Sequence, residues 1–122
     1  MARARSMSRR SDAELLEDIK SAIENITEYT AGMSYEGFIE DRKTQDAVTR
    51  NLEIIGEAAK NVSGPFKSKH ARIPWKNLAA VRDKLIHNYF GVNYEVVWEI
   101  LDKHLPEVLE LIRSKGTRNH GD

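Results

Sequence analysis

From Leu15 to Thr30 the positions Leu15, Leu16, Ile19, Ile23, Ile26 and Thr30 recur at steps of three and four, the spacing that gathers side chains on one face of a helix. The preceding "SDAE", residues 11–14, predicts where that helix starts. Ser11 can accept from the backbone of the third helical residue while Glu14 reaches back to the cap, and Gly32 supplies a stop. After "YEGF", which reads as a short turn or helical loop, a second stripe runs from about Asp41 to Val62 through Ala47, Val48, Leu52, Ile55, Ala58, Ala59 and Val62. Gly56 and the alanines of this stripe would let another helix approach closely. Gly64, Pro65 and Pro74 then break the periodicity, so "VSGPFKSKHARIP" reads as a basic connector, with Pro74 suited to open the next helix. That helix, "WKNLAAVRDKLIHNYF", carries Trp75, Leu78, Ala79, Leu85 and Phe90 and is expected to end near Gly91. Asn93 can cap a fourth, with Val96, Val97, Ile100, Leu101 and Leu105 turned inward. Pro106 cannot continue it without a kink, so the stretch from Leu105 to about Arg113 is either a bent extension or a separate short helix. No period-2 stretch or hairpin signal occurs. The expected fold is all-α, an antiparallel up-and-down bundle of four to five helices.

A chain of 122 residues leaves room for one domain, expected over residues 11–113. The flanks, "MARARSMSRR" at 1–10 and "SKGTRNHGD" at 114–122, are expected to be disordered, the first a basic extension in which Met7 is an alternative start. No apolar run nears the roughly 20 residues that a membrane-spanning helix needs. The absence of cysteine excludes a thiolate nucleophile, a thiolate metal site and a disulfide, and suits the cytoplasm. The net charge of +0 argues against a protein that coats nucleic acid by long-range attraction, but the charges are segregated. Between Lys60 and Lys84 seven bases face one acid, Asp83, whereas outside this window and the first ten residues eight bases stand against eighteen acids. Solvated helix faces with a basic loop would account for this. So would a phosphate-facing strip, for which Lys67, Lys69, Arg72, Lys76 and Lys84 are the candidates.

The strip runs into "RDKLIHNYF", residues 82–90. At about 100° per residue, Arg82 and Tyr89 share nearly one face, and Asp83 lies four residues before His87, where it could accept a hydrogen bond that fixes the imidazole tautomer. Arg82 and His87 are about 140° apart. They can meet through the long arginine side chain, through fraying of the last turn, or across a symmetry axis joining two copies of the helix. Imidazole can take a proton from a ribose 2′-hydroxyl or give one to a leaving oxygen, and guanidinium can hold the phosphate, which is phosphodiester chemistry without a metal. A capped helix end with an Arg82–Asp83 surface pair would use the same residues.

The motif resembles the R-x4-H-x-Y signature of the HEPN superfamily, and more narrowly the HepT toxins paired with minimal nucleotidyltransferase antitoxins (MntA) in type VII toxin-antitoxin systems. The stretches "DRKTQDAVTRNLEIIGEAAKNV", "IPWKNLAAVRDKLIHNYFGVN" and "VVWEILDKHLPEVLELI" are similar to that family in the same order. The resemblance implies a homodimeric, metal-independent endoribonuclease with Arg82 and His87 as catalytic residues at a cleft between subunits. Asp83 and Asn88 would support them, and an MntA-like antitoxin would neutralise the toxin by adenylylating Tyr89. A second reading is a non-nuclease module that docks a nucleotide or the antitoxin and is regulated at Tyr89. His70, His87, His104 and His120 lack a metal-ligand spacing, Asp102 and His104 cannot face one point of a helix, and no phosphate-binding glycine loop is present, so no metal or cofactor is expected. Trp75 and Trp98 read as core or dimer anchors, and the Glu53/Glu57 pair as a solvated helix edge.

Overall fold

A computed structural model of the chain describes residues 10–85 and 91–121, with side chains described except at 85 and 115–121. Helix α1 (Asp12–Tyr29) opens on the expected capping box: the Glu14 N–H donates to Ser11 Oγ at 3.1 Å and the Ser11 N–H to Glu14 Oε1 at 2.9 Å. Leu15, Ile19, Ala22, Ile23 and Ile26 form its buried face, and the chain leaves through Gly32 at φ +75°, a left-handed turn that glycine adopts without strain. The "YEGF" stretch is a helix, α2 (Tyr35–Ile39), capped by Ser34. Helix α3 (Arg42–Asn61) follows from an Asp41 cap and buries Val48, Leu52, Ile55, Ala58 and Ala59 as its stripe predicts.

Helices α1 and α3 are antiparallel. Asp12, at the start of α1, accepts from both the N–H and the Oγ–H of Ser63, just past the end of α3, at 2.8 and 2.6 Å. Farther along, Asn25 donates to Asn51 at 3.2 Å. Buried Gln45 joins α2 to α3, its Nε2 donating to the carbonyls of Phe38 and Ile39 at 2.9 and 2.8 Å.

The connector is not without structure: Ser63 caps a short helix, α4 (Gly64–Lys69), with Pro65 in its first turn, where a missing N–H costs nothing. Phe66 packs edge-on against Trp75, and Trp75 Nε1 donates to the His70 carbonyl at 3.0 Å, so this basic segment is anchored to the core. The next segment differs from the single helix expected. It forms α5 (Trp75–Ala79), breaks at Ala80 with ψ −2°, and resumes as α6 (Val81–Leu85). Leu78 and Val81, on either side of the break, lie in the core opposite α3: a Cβ built on Gly56 would meet Val81 Cγ1 at 3.4 Å and the Leu78 and Ala79 carbonyls at 3.5 and 3.7 Å. The expected helix end near Gly91 falls among residues 86–90, outside the described ones, as does Phe90.

Gly91, at φ +92°, leads to Asn93, whose Oδ1 accepts from the Glu95 and Val96 N–H groups and caps α7 (Tyr94–Glu99). Fully buried Phe38 contacts Tyr94 and Trp98, which makes Trp98 an anchor between α2 and α7. A π-helical turn (Ile100–His104) then joins α7 to α8 (Leu105–Gly121). Pro106 explains it: with no N–H for the carbonyl four residues back and a ring that would strike it, the chain widens by one residue, and the Leu105 N–H donates to the Ile100 carbonyl instead. Helix α8 buries Leu105, Val108, Leu109 and Ile112, and Arg113 reaches Glu24 of α1 at 3.1 Å. It runs on to Gly121. At the other flank Arg10 donates to both carboxylate oxygens of Asp18 at 2.8 and 2.9 Å. The fold is all-α, with no β-strand among the described residues and no helix among them long and apolar enough to cross a membrane.

Candidate functional site

Arg82 and Asp83 sit in the short helix α6, and both are exposed. The buried neighbour Val81 turns inward toward α3, which leaves the next positions to face outward. Arg82 lines an open groove of about 970 Å³ whose other walls come from α1 and α3. On the α1 side the groove carries Leu15 and the Arg10–Asp18 pair; on the α3 side it carries Arg50, Glu53, Ile54, Glu57, Ala58 and Asn61. Its floor is apolar, Leu15 and Ala58 being buried and Ile54 half-buried.

The charged groups in this groove are not equivalent. Asp18 is engaged by the Arg10 fork, and this pairing raises the Arg10 guanidinium pKa from its ordinary value. Glu57 Oε2 accepts from Asn61 Nδ2 at 3.3 Å. Arg50, Glu53 and Arg82 make no ion pair or side-chain hydrogen bond among the described residues. An exposed guanidinium that lines the groove with no carboxylate partner among the described residues is chemically available to a phosphate.

Of the expected motif, His87, Asn88 and Tyr89 lie outside the described residues, and the bond expected from Asp83 to His87 lies there with them. Among the described residues Asp83 has no polar partner. The strip candidates Lys69, Arg72, Lys76 and Lys84 are exposed and Lys67 half-buried, and none is paired with a carboxylate among the described residues. Lys67 and Lys69 occupy the last turn of α4, where the helix dipole favours cations. Trp75 is buried and bonded to the backbone, so it is a core anchor and no stacking platform.

The groove contributes residues that the sequence reading passed over. Arg50 and Asp18 belong to no motif in the sequence, and Glu53, half-buried and lining the groove, is not a fully solvated edge. A signal for them existed: Arg50, Glu53, Glu57 and Asn61 recur at steps of three and four along α3, a polar stripe beside the apolar one.

The chain is similar to known proteins over most of its length. The profile of a family described as Ribonuclease HepT-like matches residues 19–114. A protein of Thermococcus cleftensis named probable ribonuclease HepT is 50% identical over 100 residues, covering 82% of this chain and 91% of its own. A candidate RNase of Methanocaldococcus jannaschii is 45% identical, covering 80% of this chain and 84% of its own, and another from Caldanaerobacter subterraneus is 46% identical, covering 80% and 88%. No solved structure matches the chain.

Proposed function

The chain belongs to the ribonuclease HepT-like family, and from that premise we propose that it is the toxin of a toxin-antitoxin pair, a metal-independent endoribonuclease that works as a homodimer. The supporting observation is Arg82: the first residue of R-x4-H-x-Y is exposed, has no carboxylate partner among the described residues and lines the groove against α3. His87 takes the proton of a ribose 2′-hydroxyl, whose oxygen attacks the adjacent phosphorus, and the bond to the 5′-oxygen breaks as that oxygen gains a proton. Arg82 holds the phosphate and offsets the charge that builds on it. Because Arg82 and His87 lie about 140° apart on an ideal helix, two motif helices meeting across a two-fold axis put the arginine of one protomer beside the histidine of the other. Asp83 and Asn88 orient these groups. Lys67, Lys69, Arg72, Lys76 and Lys84 contact the RNA backbone. Tyr89 is the modification site: an MntA-like nucleotidyltransferase antitoxin adds AMP there, bringing bulk and negative charge next to Arg82 and closing the cleft to RNA.

The test is cleavage of end-labelled RNA in the presence of chelator, using protein whose intact mass shows Tyr89 unmodified. The parent is expected to cut, and folded His87→Ala and Arg82→Ala to lose at least about a hundredfold in rate. A folded His87→Ala that cuts like the parent overturns the reading. RNA left intact by the parent, with AMP transferred to the protein but not to Tyr89→Phe, would favour a non-nuclease module regulated at the same tyrosine.

A further inference from the structure

Along α3 the groove residues Arg50, Glu53, Glu57 and Asn61 form one stripe that follows roughly 16 Å of helix axis. This is longer than a single phosphate requires. Between the stripe and α1 the groove is lined by apolar Leu15, Ile54 and Ala58, of which Ile54 is the most exposed; hydrocarbon accepts the face of a base and offers a phosphate nothing. Two guanidinium groups, Arg50 and Arg82, stand at the groove without carboxylate partners among the described residues. A purely phosphate-binding groove is poorly served by acids, yet Asp18, Glu53 and Glu57 all line this one.

Glu53 is the groove carboxylate with no side-chain partner among the described residues. Asp18 is held by Arg10 and Glu57 accepts from Asn61, whereas Glu53 is half-buried and makes no side-chain hydrogen bond or ion pair among the described residues. A carboxylate has acceptors only. Among the four RNA bases, guanine alone presents two adjacent donors, N1–H and N2–H, on its Watson–Crick edge, so it alone matches both carboxylate oxygens. Adenine and cytosine set an acceptor beside their amino group, and uracil flanks its single N–H with two carbonyl oxygens.

We propose that this groove is a base-reading subsite in which a guanine lies on the Leu15, Ile54 and Ala58 floor with its Watson–Crick edge on Glu53, while Arg50 holds a neighbouring phosphate. As a specificity device for RNA cleavage it rests on the ribonuclease reading; as a nucleotide site it stands apart from it. Glu53 selects the base and Arg50 supplies affinity without selection.

The experiment is titration of the unmodified protein with GMP, IMP and AMP, followed by calorimetry or by backbone amide shifts. IMP differs from GMP only by the missing 2-amino group. The parent is expected to bind GMP about tenfold more tightly than IMP or AMP, Glu53→Gln to lose that preference, and Arg50→Ala to weaken all three alike while keeping it. Equal affinities in the parent, or a preference that survives Glu53→Gln in a folded protein, overturn the proposal. Since the titration needs no cleavage, the two readings fail separately: RNA cut with no GMP preference sinks only the subsite. A GMP preference lost in Glu53→Gln supports the subsite even where RNA stays intact.

Discussion

Asp12 joins two parts of the chain fifty-one residues apart with one side chain, its two oxygens taking the hydroxyl and the N–H of Ser63. Those two bonds, the hydroxyl contributing more, hold its carboxyl pKa below the usual value against a smaller opposing effect of desolvation. The Ser11 N–H, with help from Arg10, lowers that of Glu14, and Thr44 does the same for Asp41. A carboxylate whose pKa is depressed by folding contributes stability that is present above its unfolded value and is lost as pH falls through the folded one. The melting temperature should therefore drop as pH goes below about 4. Asp12→Asn should lower it at about pH 7, and the gap between the two proteins should shrink as pH falls below about 4 and the parent carboxyl takes up its proton. A gap between the two proteins that stays constant across thermal melts over this range would mean that the Asp12 bonds do not survive in solution.

At the scale of elements, local signals are legible in the sequence and tertiary ones are not. The capping box at Ser11, the Asn93 cap and the stripes of α1 and α3 are chemistry between residues a few positions apart, and the structure has them where the pattern predicts. Pro106 announced an irregularity without saying that it would be a π turn. The break at Ala80 carries no local signal, since "NLAAV" is rich in helix formers; it lies where Leu78 and Val81 pack onto α3. For the same reason the groove was legible only in part: Arg82 announced itself through a motif, whereas Arg50 and Asp18 become its neighbours only when α1, α3 and α6 assemble. Gly56 gives this contact a sharp test. The distances of 3.4 to 3.7 Å around a Cβ placed there are ordinary contact, so Gly56→Ala should keep or raise the melting temperature, gaining up to about 1 kcal/mol of helix propensity. Gly56→Val adds two methyl groups where Val81 and two carbonyls already stand, and should cost about 1 to 3 kcal/mol in urea unfolding. Equal stabilities of the two variants would show that α5 and α6 do not bear on α3 so closely.

Over the whole molecule, a net charge of +0 hides a basic segment that the fold makes rigid. Phe66 and Trp75 anchor α4 and the following loop to the core, so Lys69, Arg72 and Lys76 are carried on a fixed surface, exposed and without carboxylate partners among the described residues. Preset charges contact a backbone without paying to be ordered first. If the chain binds single-stranded RNA along this surface, each lysine that neutralises a phosphate releases counterions and contributes about −0.7 to the slope of log affinity against log salt. The double variant Lys69→Ala with Lys76→Ala should then flatten that slope by about 1.4. It should weaken binding to all sequences alike and leave any preference for guanine untouched, since these lysines lie outside the groove that holds Glu53. Fluorescence anisotropy with labelled RNA at a series of salt concentrations measures both. An unchanged slope would move the RNA path off α4 and α5, and leave the segregation of charge to the bland account of solvated helix faces.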